Sequence, residues 1–366
     1  MLKKLNVLGR EDYKKEAIKY IISIAIVMMV GAFFIQLRGE SPLKAFQAIF
    51  QGALVGKPSI ARTIRWITPC IIAGTAAVIS DKSGIFNLGI EGQIYMGAFF
   101  AAVFGYAVSL PKFLHIPATI IVGGIGGALL ALIPALLKLY YNVNEMITTL
   151  MFNYVATLFT EYMTLQLMGA DGSVSPDYMA TPPMLDTARL TPLFKSYQAT
   201  TGFFIGLALV LLIHILYKYT KKGYELKQVG ENIKFAQYGG INAFATYFYV
   251  FLISGFVAGI CGAVEMMGAH GRFRAQFSSN LGWDGIMIAL IAKDSPLGML
   301  LVAVLWGIIK NGSFAMERTT NVNRLVVTLI QAIFVLFITA DFEKIMSKLR
   351  AVFPRKGASK KEGTLC

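Results

Sequence analysis

Three polar side chains stand close together in an otherwise apolar stretch of the sequence. Asn87, Glu91 and Gln93 lie within SGIFNLGIEGQIYMGAFF, residues 83–100, which also carries several glycines. Amide groups can hydrogen-bond to a neutral solute, and a carboxylate inside a membrane can carry a proton. Glycine allows close backbone approach and irregular dihedral angles. The stretch therefore predicts a broken helix. Its polar groups either line a solute path or are satisfied locally near the cytoplasmic interface.

A second polar group stands at the start of the apolar run 146–168. Glu145 and Asn153 are eight residues apart, which is close to two helical turns and puts them on roughly the same face. With Thr149 between them, they are candidates for lining the same path. The alternative is an interfacial glutamate together with an asparagine that hydrogen-bonds to a neighbouring helix.

The sequence contains no arrangement that predicts catalysis or a metal site. It has no Ser-His-Asp or HExxH pattern, no intramembrane carboxylate pair suited to hydrolysis, and no GxxxxGK[ST] phosphate loop. Its three histidines are scattered, and its three cysteines form no spaced motif. We therefore expect a protein that is not an enzyme and that uses neither a metal nor a cofactor.

The composition indicates a polytopic membrane protein. Of the 366 residues, 56% are hydrophobic and only 15% are charged, whereas roughly a quarter of a soluble domain is charged. The net charge of +14 comes from short connections and from both chain ends. Such a distribution is typical of membrane anchors on the cytoplasmic side and not of a nucleic-acid-binding surface. We expect an all-α, polytopic transmembrane helical bundle in a lipid bilayer, without a nucleic-acid partner.

Apolar runs along the chain predict about ten membrane segments. They fall at 18–37, 66–80, 85–109, 116–138, 146–168, 201–217, 245–268, 285–292, 297–310 and 325–340. The run at 285–292 is too short to span a bilayer and ends at AKDSP, so it predicts a partial or broken helix that is surrounded by protein. The even number of segments puts both chain ends on the same side.

The distribution of Lys and Arg predicts that this side is the cytoplasm. Basic residues are concentrated at both ends and in the connection 218–234. The chain then divides into a cytoplasmic basic arm (1–17), a transmembrane domain (18–340) with a proline-containing external loop (169–200), and a cytoplasmic basic tail (341–366).

One basic segment, 38–65, lies outside in this topology. Part of it, PLKAFQAIFQGAL, is amphipathic. We expect the segment to lie along the outer membrane interface.

Three segments carry a resemblance to a known family. They are SGIFNLGIEGQIYMGAFFAAV (83–103), NVNEMITTLMFNYVA (142–156) and GWDGIMIALIAKDSPLGMLLVAVLWGIIKNG (282–312). In this order they resemble segments of ABC-type importer permeases, a group that serves nucleosides, simple sugars and branched-chain amino acids. The first segment is most similar to the nucleoside branch, and the resemblance covers nearly the whole chain.

The resemblance implies a permease subunit in a bacterial cell (inner or plasma) membrane. It implies a separate ABC ATPase subunit, a second related permease that completes the pore as a heterodimer, and an extracellular or periplasmic solute-binding protein. The small-molecule substrate would be a nucleoside, with simple sugars or branched-chain amino acids as alternatives. A protein of another class, a secondary transporter driven by H⁺ or Na⁺, would need no ATPase and would use Glu91 or Glu145 as its proton carrier.

The resemblance also assigns ATPase coupling to GYELKQVGENIKFAQYGGIN, residues 223–242. Asn232 can cap a short helix there and Gly239 can end it. Such a helix would press into a groove on the ATPase, whereas the alternative is an ordinary basic loop. The candidate coupling residues are Gly230, Glu231, Asn232, Gln237 and Gly240. The candidate substrate-path residues are Asn87, Glu91, Gln93 and Asn153.

Overall fold

The computed structural model describes residues 25–26, 28–167, 179–194, 197–320 and 322–339. Within these ranges the regular structure is helical, apart from two isolated β-bridges, and the expected all-α fold is confirmed. The basic arm, the basic tail and part of the external loop lie outside the described residues, so the predictions made for them remain predictions.

The helices follow one another along the chain with short connections. They are α1 (Met28–Leu37), α2 (Pro42–Leu54), α3 (Lys57–Asp81), α4 (Ile90–Ala107), α5 (Lys112–Tyr141), α6 (Glu145–Leu167), α7 (Gly202–Tyr219), α8 (Lys221–Glu231), α9 (Ile233–Tyr238), α10 (Ala243–Glu265), α11 (Leu281–Ile291), α12 (Pro296–Thr319) and α13 (Leu325–Thr339). A π-helical turn, Met266–His270, extends α10, and a 3₁₀ turn, Asp186–Ala188, lies in the connection between α6 and α7.

Five of the described helices are long and apolar enough to cross a membrane, namely α3, α5, α7, α12 and α10 with its π turn. Helix α11 is apolar but has only 11 residues, about 17 Å of helix, which is roughly half of a bilayer core. Helix α4 has 18 residues, and Glu91 and Gln93 in its first turns lower its hydropathy. The structure thus confirms a polytopic bundle that combines complete spans with partial helices.

The chain divides into two compact units. Residues 31–328 form the larger unit, which contains α2 to α12 and all the candidate site residues. The smaller unit consists of residues 1–30 and 329–366, of which the structure describes the start of α1 and most of α13.

The core of the larger unit forms where α10 packs against α4 and α5. Gly97 on α4 faces Gly259 on α10, and Gly127 on α5 meets the same stretch of α10. A side chain at any of these positions would collide with the facing backbone. Small residues let membrane helices approach closely in this way. This packing fixes the position of α4 and of the segment that precedes it.

The structure corrects the prediction that 38–65 is one interfacial segment. Its first part forms α2, a separate helix of 13 residues. Gly56, with a φ of +88°, then ends the connection, and Pro58 stands in the first turn of α3. Residues 57–65 therefore begin α3, which starts well before the apolar run at 66–80. The run at 66–80 underestimates the length of α3 because the first part of the helix contains polar residues. Some of these, such as Thr63, are buried.

Candidate functional site

The predicted break lies between α3 and α4. The chain leaves the helical conformation at residues 82–89, with a turn, a short extended stretch and a second turn. Gly84 adopts a φ of +74°, in the left-handed region that glycine accepts most readily. Gly84 also lies against Gly230 of α8. A β-carbon added at Gly84 would be 3.0 Å from the Gly230 α-carbon. The glycine is thus required both by conformation and by close approach.

Asn87 and Gln93 form a reciprocal amide pair at the break. Asn87 Nδ2 donates to Gln93 Oε1 (3.0 Å) and to Ser254 Oγ on α10 (3.0 Å). Gln93 Nε2 and the Gly89 backbone N–H both donate to Asn87 Oδ1, at 3.1 and 3.0 Å. Asn87 and Gln93 are each only 1% exposed. In this conformation the two amides satisfy each other and the neighbouring chain.

The contact with Ser254 indicates the depth of the break in the bundle. Ser254 lies close to the middle of the 28-residue helical stretch Ala243–His270. The amide pair therefore lies beside the middle of this helical stretch. Local satisfaction of the amides is confirmed, and their position relative to the membrane interface stays a prediction. Broken helices at mid-depth are the places where membrane transporters often bind their solutes.

Asn153 on α6 binds the end of the break and the first turn of α4. Its Oδ1 accepts a hydrogen bond from the Gly92 N–H (2.8 Å), and its Nδ2 donates to the Leu88 carbonyl (2.8 Å). The Leu88 N–H in turn donates to Thr149 Oγ1 at 3.2 Å. The first N–H groups of a helix have no partner within it, so Asn153 serves as a cap for α4 that is supplied by another helix. The predicted interhelical hydrogen bond is thus confirmed.

Glu145 does not join this cluster. It forms an ion pair with Lys138 at the end of α5, with 3.0 Å between Nζ and Oε2, and both side chains are partly exposed. This corresponds to the interfacial glutamate that was the alternative reading of the sequence.

Glu91 connects the break to the partial helix α11. Its Oε2 accepts a hydrogen bond of 2.6 Å from the Gly282 N–H, in the first turn of α11. Asn280, which precedes that helix, makes no side-chain cap. A carboxylate at a helix N-terminus is favoured by the unpaired N–H groups and by the helix dipole. Glu91 therefore joins the beginnings of the two partial elements, α4 and α11.

Sequence reasoning missed two ion pairs that lie within the bundle. Arg65 Nη2 lies 2.6 Å from Glu265 Oε2, and these side chains are 10% and 4% exposed. Lys310 pairs with Asp284, and both are largely buried. Single charges of opposite sign within predominantly apolar helices were the available signal, because such charges need a partner. Removing one member of a buried pair strands the other, so these pairs fix how the helices assemble.

The predicted coupling segment contains two short helices, α8 and α9. Asn232 Oδ1 accepts a hydrogen bond of 3.1 Å from the Phe235 N–H, and Gly239 follows the last residue of α9. Both boundary predictions are therefore confirmed. Phe235 and Tyr238 on α9 are 64% and 91% exposed, so the short helix presents two aromatic rings to its surroundings. The role of the segment in coupling remains a prediction.

Gly230, near the end of α8, lies directly against the turn that leads into the break. A β-carbon there would collide with the Lys82 carbonyl and would lie 3.0 Å from the Gly84 nitrogen. The Lys82 ammonium donates to the backbone carbonyl of Asp294 (3.3 Å), in the connection between α11 and α12. Burial raises the pKa of the Asp294 carboxyl to about 6, and the nearby charge of Lys82 opposes that rise. The coupling segment thus contacts the same turn that positions Asn87.

A solved structure shares this fold. PsaBC from Streptococcus pneumoniae in complex with Fab aligns with a TM-score of 0.51 at 15% identity, over 83% of this chain and 99% of that chain. The likeness concerns the arrangement of the helices and extends over most of this chain.

Sequence comparisons identify the family. Residues 59–337 match the family described as the permease component of branched-chain amino acid transport systems. The chain belongs to this family and is a multi-pass membrane transport subunit, not an enzyme.

Individual relatives match along almost the whole chain. The guanosine ABC transporter permease protein NupP of Bacillus subtilis is 29% identical over 93% of this chain and 97% of its own length. The glucose ABC transporter permease protein TsgB13 of Haloferax volcanii is also 29% identical, over 92% of this chain and 90% of its own length. The nucleoside ABC transporter permease protein NupB of Lactococcus lactis is 26% identical, over 93% and 96%.

Proposed function

We propose that this chain is the permease subunit of a bacterial ABC importer and that it moves nucleosides across the cell membrane. The observation that carries the proposal is its similarity, over more than nine tenths of its length, to permeases named for guanosine and nucleosides. A nucleoside is neutral and rich in hydrogen-bonding groups, which suits amides better than charges. A sugar is the second candidate, because the glucose permease is as similar as the guanosine permease.

The solute path includes the polar break. The path residues are Asn87, Glu91, Gln93 and Asn153, and the location of the amide pair beside the middle of α10 supports this role. During transport the Asn87 and Gln93 amides exchange their mutual hydrogen bonds for bonds to the solute. Such an exchange leaves no buried amide unpaired, so it avoids the penalty of roughly 1–3 kcal/mol for an unsatisfied group.

A separate ATPase subunit drives the exchange through residues 223–242. The exposed Phe235 and Tyr238 rings on α9 support docking into a groove of such a partner. A cavity of about 230 Å³ beside them, between α8 and α9, offers a complementary recess. Gly230, Glu231, Asn232, Gln237 and Gly240 are the coupling residues. In this orientation the segment and both chain ends are cytoplasmic.

Two further partners complete the importer. A second, related permease forms the other half of the pore. In support, Bacillus subtilis has two guanosine permease proteins that both match this chain, NupP and NupQ. A solute-binding protein delivers the nucleoside on the opposite side of the membrane.

The test is reconstitution of the chain with its second permease, its ATPase and its binding protein in liposomes. Uptake of labelled guanosine, adenosine, uridine, glucose and leucine is measured with and without ATP, and with the H⁺ and Na⁺ gradients collapsed. We expect ATP-dependent nucleoside uptake that survives loss of the gradients. Uptake of glucose or leucine without uptake of any nucleoside would show that the proposed substrate class is wrong. Uptake that needs a gradient and no ATP would establish the secondary-transporter alternative.

A further inference from the structure

A cavity of about 360 Å³ lies between α2, α3 and α12, apart from the polar break. Arg62 and Trp66 line it from α3, and Phe314 and Arg318 line it from α12. The backbone of Gly52 on α2 closes one side against α12. The cavity thus combines two guanidinium groups with aromatic and aliphatic walls.

The two arginines differ from the other cations nearby. The neighbouring pairs are Arg65 with Glu265, Lys310 with Asp284, and Arg324 with Glu317. Within the part of the chain that the structure describes, neither Arg62 nor Arg318 has a carboxylate within ion-pair distance. Arg62 Nε donates to the Pro58 carbonyl (3.2 Å), which orients the guanidinium and leaves its terminal N–H groups for another acceptor. The cavity therefore carries two positive charges that no described carboxylate balances.

The walls of the cavity are held in place by their own contacts. The Trp66 and Phe314 rings stack with centroids 5.4 Å apart and an angle of 18° between their planes. Arg65 and Lys310 also lie over the Trp66 ring, at 4.4 and 4.9 Å from its centroid. These cation–π contacts fix the ring. The wall is thus a preformed flat surface.

A buried amide fixes the three helices around the cavity. Asn311 Nδ2 on α12 donates to the carbonyls of Gly52 and Ser59 and to Thr63 Oγ1, at 3.1, 3.2 and 2.9 Å. These partners belong to α2 and α3. The positions of the three helices, and of the α-carbons that carry the two arginines, are therefore set by the fold.

The position of the arginines along their helices indicates the depth of the cavity in the membrane. Arg62 stands near the start of α3, and Arg318 stands in the last turn of α12. This end of α3 is opposite the end that meets Gly230. Arginine and tryptophan side chains near the ends of spanning helices lie at the level of the lipid headgroups. Phe50 and Leu54 of α2 are exposed nearby and offer apolar surface to acyl chains.

We propose that this cavity binds the phosphate of an anionic phospholipid headgroup. Guanidinium groups match phosphate oxygens with paired N–H donors, and basic pockets between membrane helices bind such headgroups. The two arginine charges favour a headgroup with a net negative charge over a zwitterionic headgroup. A neutral nucleoside would leave both charges unbalanced. The proposal is independent of which solute the protein transports.

The test uses the full chain, purified in detergent, and native mass spectrometry to count bound lipid. The probes are phosphatidylglycerol, phosphatidylcholine with the same acyl chains, and inorganic phosphate. The variants are Arg62→Gln with Arg318→Gln, and Arg62→Lys with Arg318→Lys. The control is Lys57→Gln with Lys112→Gln, which removes the same charge from exposed residues at the starts of α3 and α5. A thermal transition like that of the wild type is required of each variant.

We expect phosphatidylglycerol to bind at least about tenfold more tightly than phosphatidylcholine, and the glutamine variant to lose that difference. The lysine variant should retain part of it, and the control should retain all of it. The proposal is overturned if the glutamine variant binds phosphatidylglycerol like the wild type, or if the control loses as much. A different result would be that inorganic phosphate binds in an arginine-dependent way and displaces phosphatidylglycerol. That result would identify a free anion as the ligand and overturn the proposal that the ligand is a lipid.

Discussion

Asn87 is the side chain on which the polar break depends most. It bonds to Gln93, to Ser254 and to the Gly89 backbone, so it ties the break both to the start of α4 and to α10. Its amide is therefore structural in the conformation described, and a solute can reach it only by replacing one of these bonds. This dual use predicts that stability and transport change together when Asn87 is altered.

The first prediction is that Asn87→Leu lowers both thermal stability and uptake. Leucine leaves the Gln93 amide and the Gly89 N–H without partners, at about 1–3 kcal/mol for each buried group. If the same bonds act in the transport barrier, uptake falls by roughly tenfold to a hundredfold. Unfolding of the purified protein and uptake in liposomes measure the two effects. Ser254→Ala, which removes a single partner, should be milder. Wild-type uptake by Asn87→Leu would remove Asn87 from the path.

The second prediction is that Glu91→Gln keeps most of its transport activity and an unchanged pH profile. A glutamine oxygen can still accept the hydrogen bond from the Gly282 N–H, so the junction of α4 and α11 survives. Glu91→Leu cannot accept this bond and should lose both stability and uptake. Uptake by both variants is measured from about pH 5 to about pH 8. If Glu91→Gln abolishes uptake and shifts its pH dependence, Glu91 is a proton carrier.

At the scale of elements, one turn connects the coupling segment with the break. Gly230 of α8 touches residues 82–84, and the chain continues from there directly to Asn87. A displacement of α8 would therefore act on the break without passing through a flexible linker. The same turn meets the connection between α11 and α12 through Lys82, so it joins three elements.

The third prediction is that Gly230→Ala uncouples ATP hydrolysis from uptake. The added β-carbon collides with the Lys82 carbonyl and forces α8 away from the turn. We expect uptake to fall at least about tenfold while ATP hydrolysis by the assembled importer persists. The matched control is Gly239→Ala on the same segment, where the nearest atoms to an added β-carbon are 3.3 and 3.6 Å away. Equal uptake by Gly230→Ala and wild type would show that this contact does not transmit the coupling.

The fourth prediction concerns Asp294, in the connection between α11 and α12. Its pKa is about 6 in the folded protein against an ordinary value of 3.8, so the folded state binds this proton more tightly than the unfolded state. The free energy of unfolding therefore falls as the pH rises from 3.8 to about 6. Asp294→Asn should therefore stabilise the protein above pH 6, by on the order of 1 kcal/mol after allowance for solvent screening.

Thermal unfolding of Asp294→Asn and wild type across this pH range is the measurement. The gain should vanish below the ordinary pKa of 3.8, where the wild-type carboxyl is protonated in both states. Asparagine also accepts the φ of +56° at this position. A constant difference at every pH would show that the effect does not come from titration of Asp294.

At the scale of the whole molecule, orientation in the membrane decides which surface meets the ATPase. The fifth prediction is that α9 and the start of α5 face opposite sides. Cysteines at Tyr238 and Lys112, both exposed, should label with an impermeant maleimide from opposite sides of the membrane. Cys70 and Cys261 are buried, and Cys366→Ser removes the remaining thiol. Labelling of both sites from the same side would overturn the proposed topology.

Several features of the molecule follow from local sequence alone. The glycines and polar residues of 83–100 determine that a helix breaks there, because Gly84 adopts a left-handed conformation that glycine favours and most other residues disfavour. The short apolar run at 285–292 determines the partial helix α11, and Asn232 and Gly239 determine the ends of α9. In each case the cause lies within a few residues of the effect. Composition likewise fixes the all-α membrane bundle, because lipid requires every backbone group to be paired internally.

Only the tertiary structure decides which groups these polar residues meet. Glu91 bonds to a backbone N–H 191 residues away, and Arg65 pairs with a glutamate 200 residues away. Asn153 shares a helix face with Glu145, yet only Asn153 reaches the break. Such partners depend on which helices pack together and at what depth, and side-chain spacing along one helix carries no information about either. The cavity at Arg62 and Arg318 arises in the same way, from three helices that meet only in the folded chain.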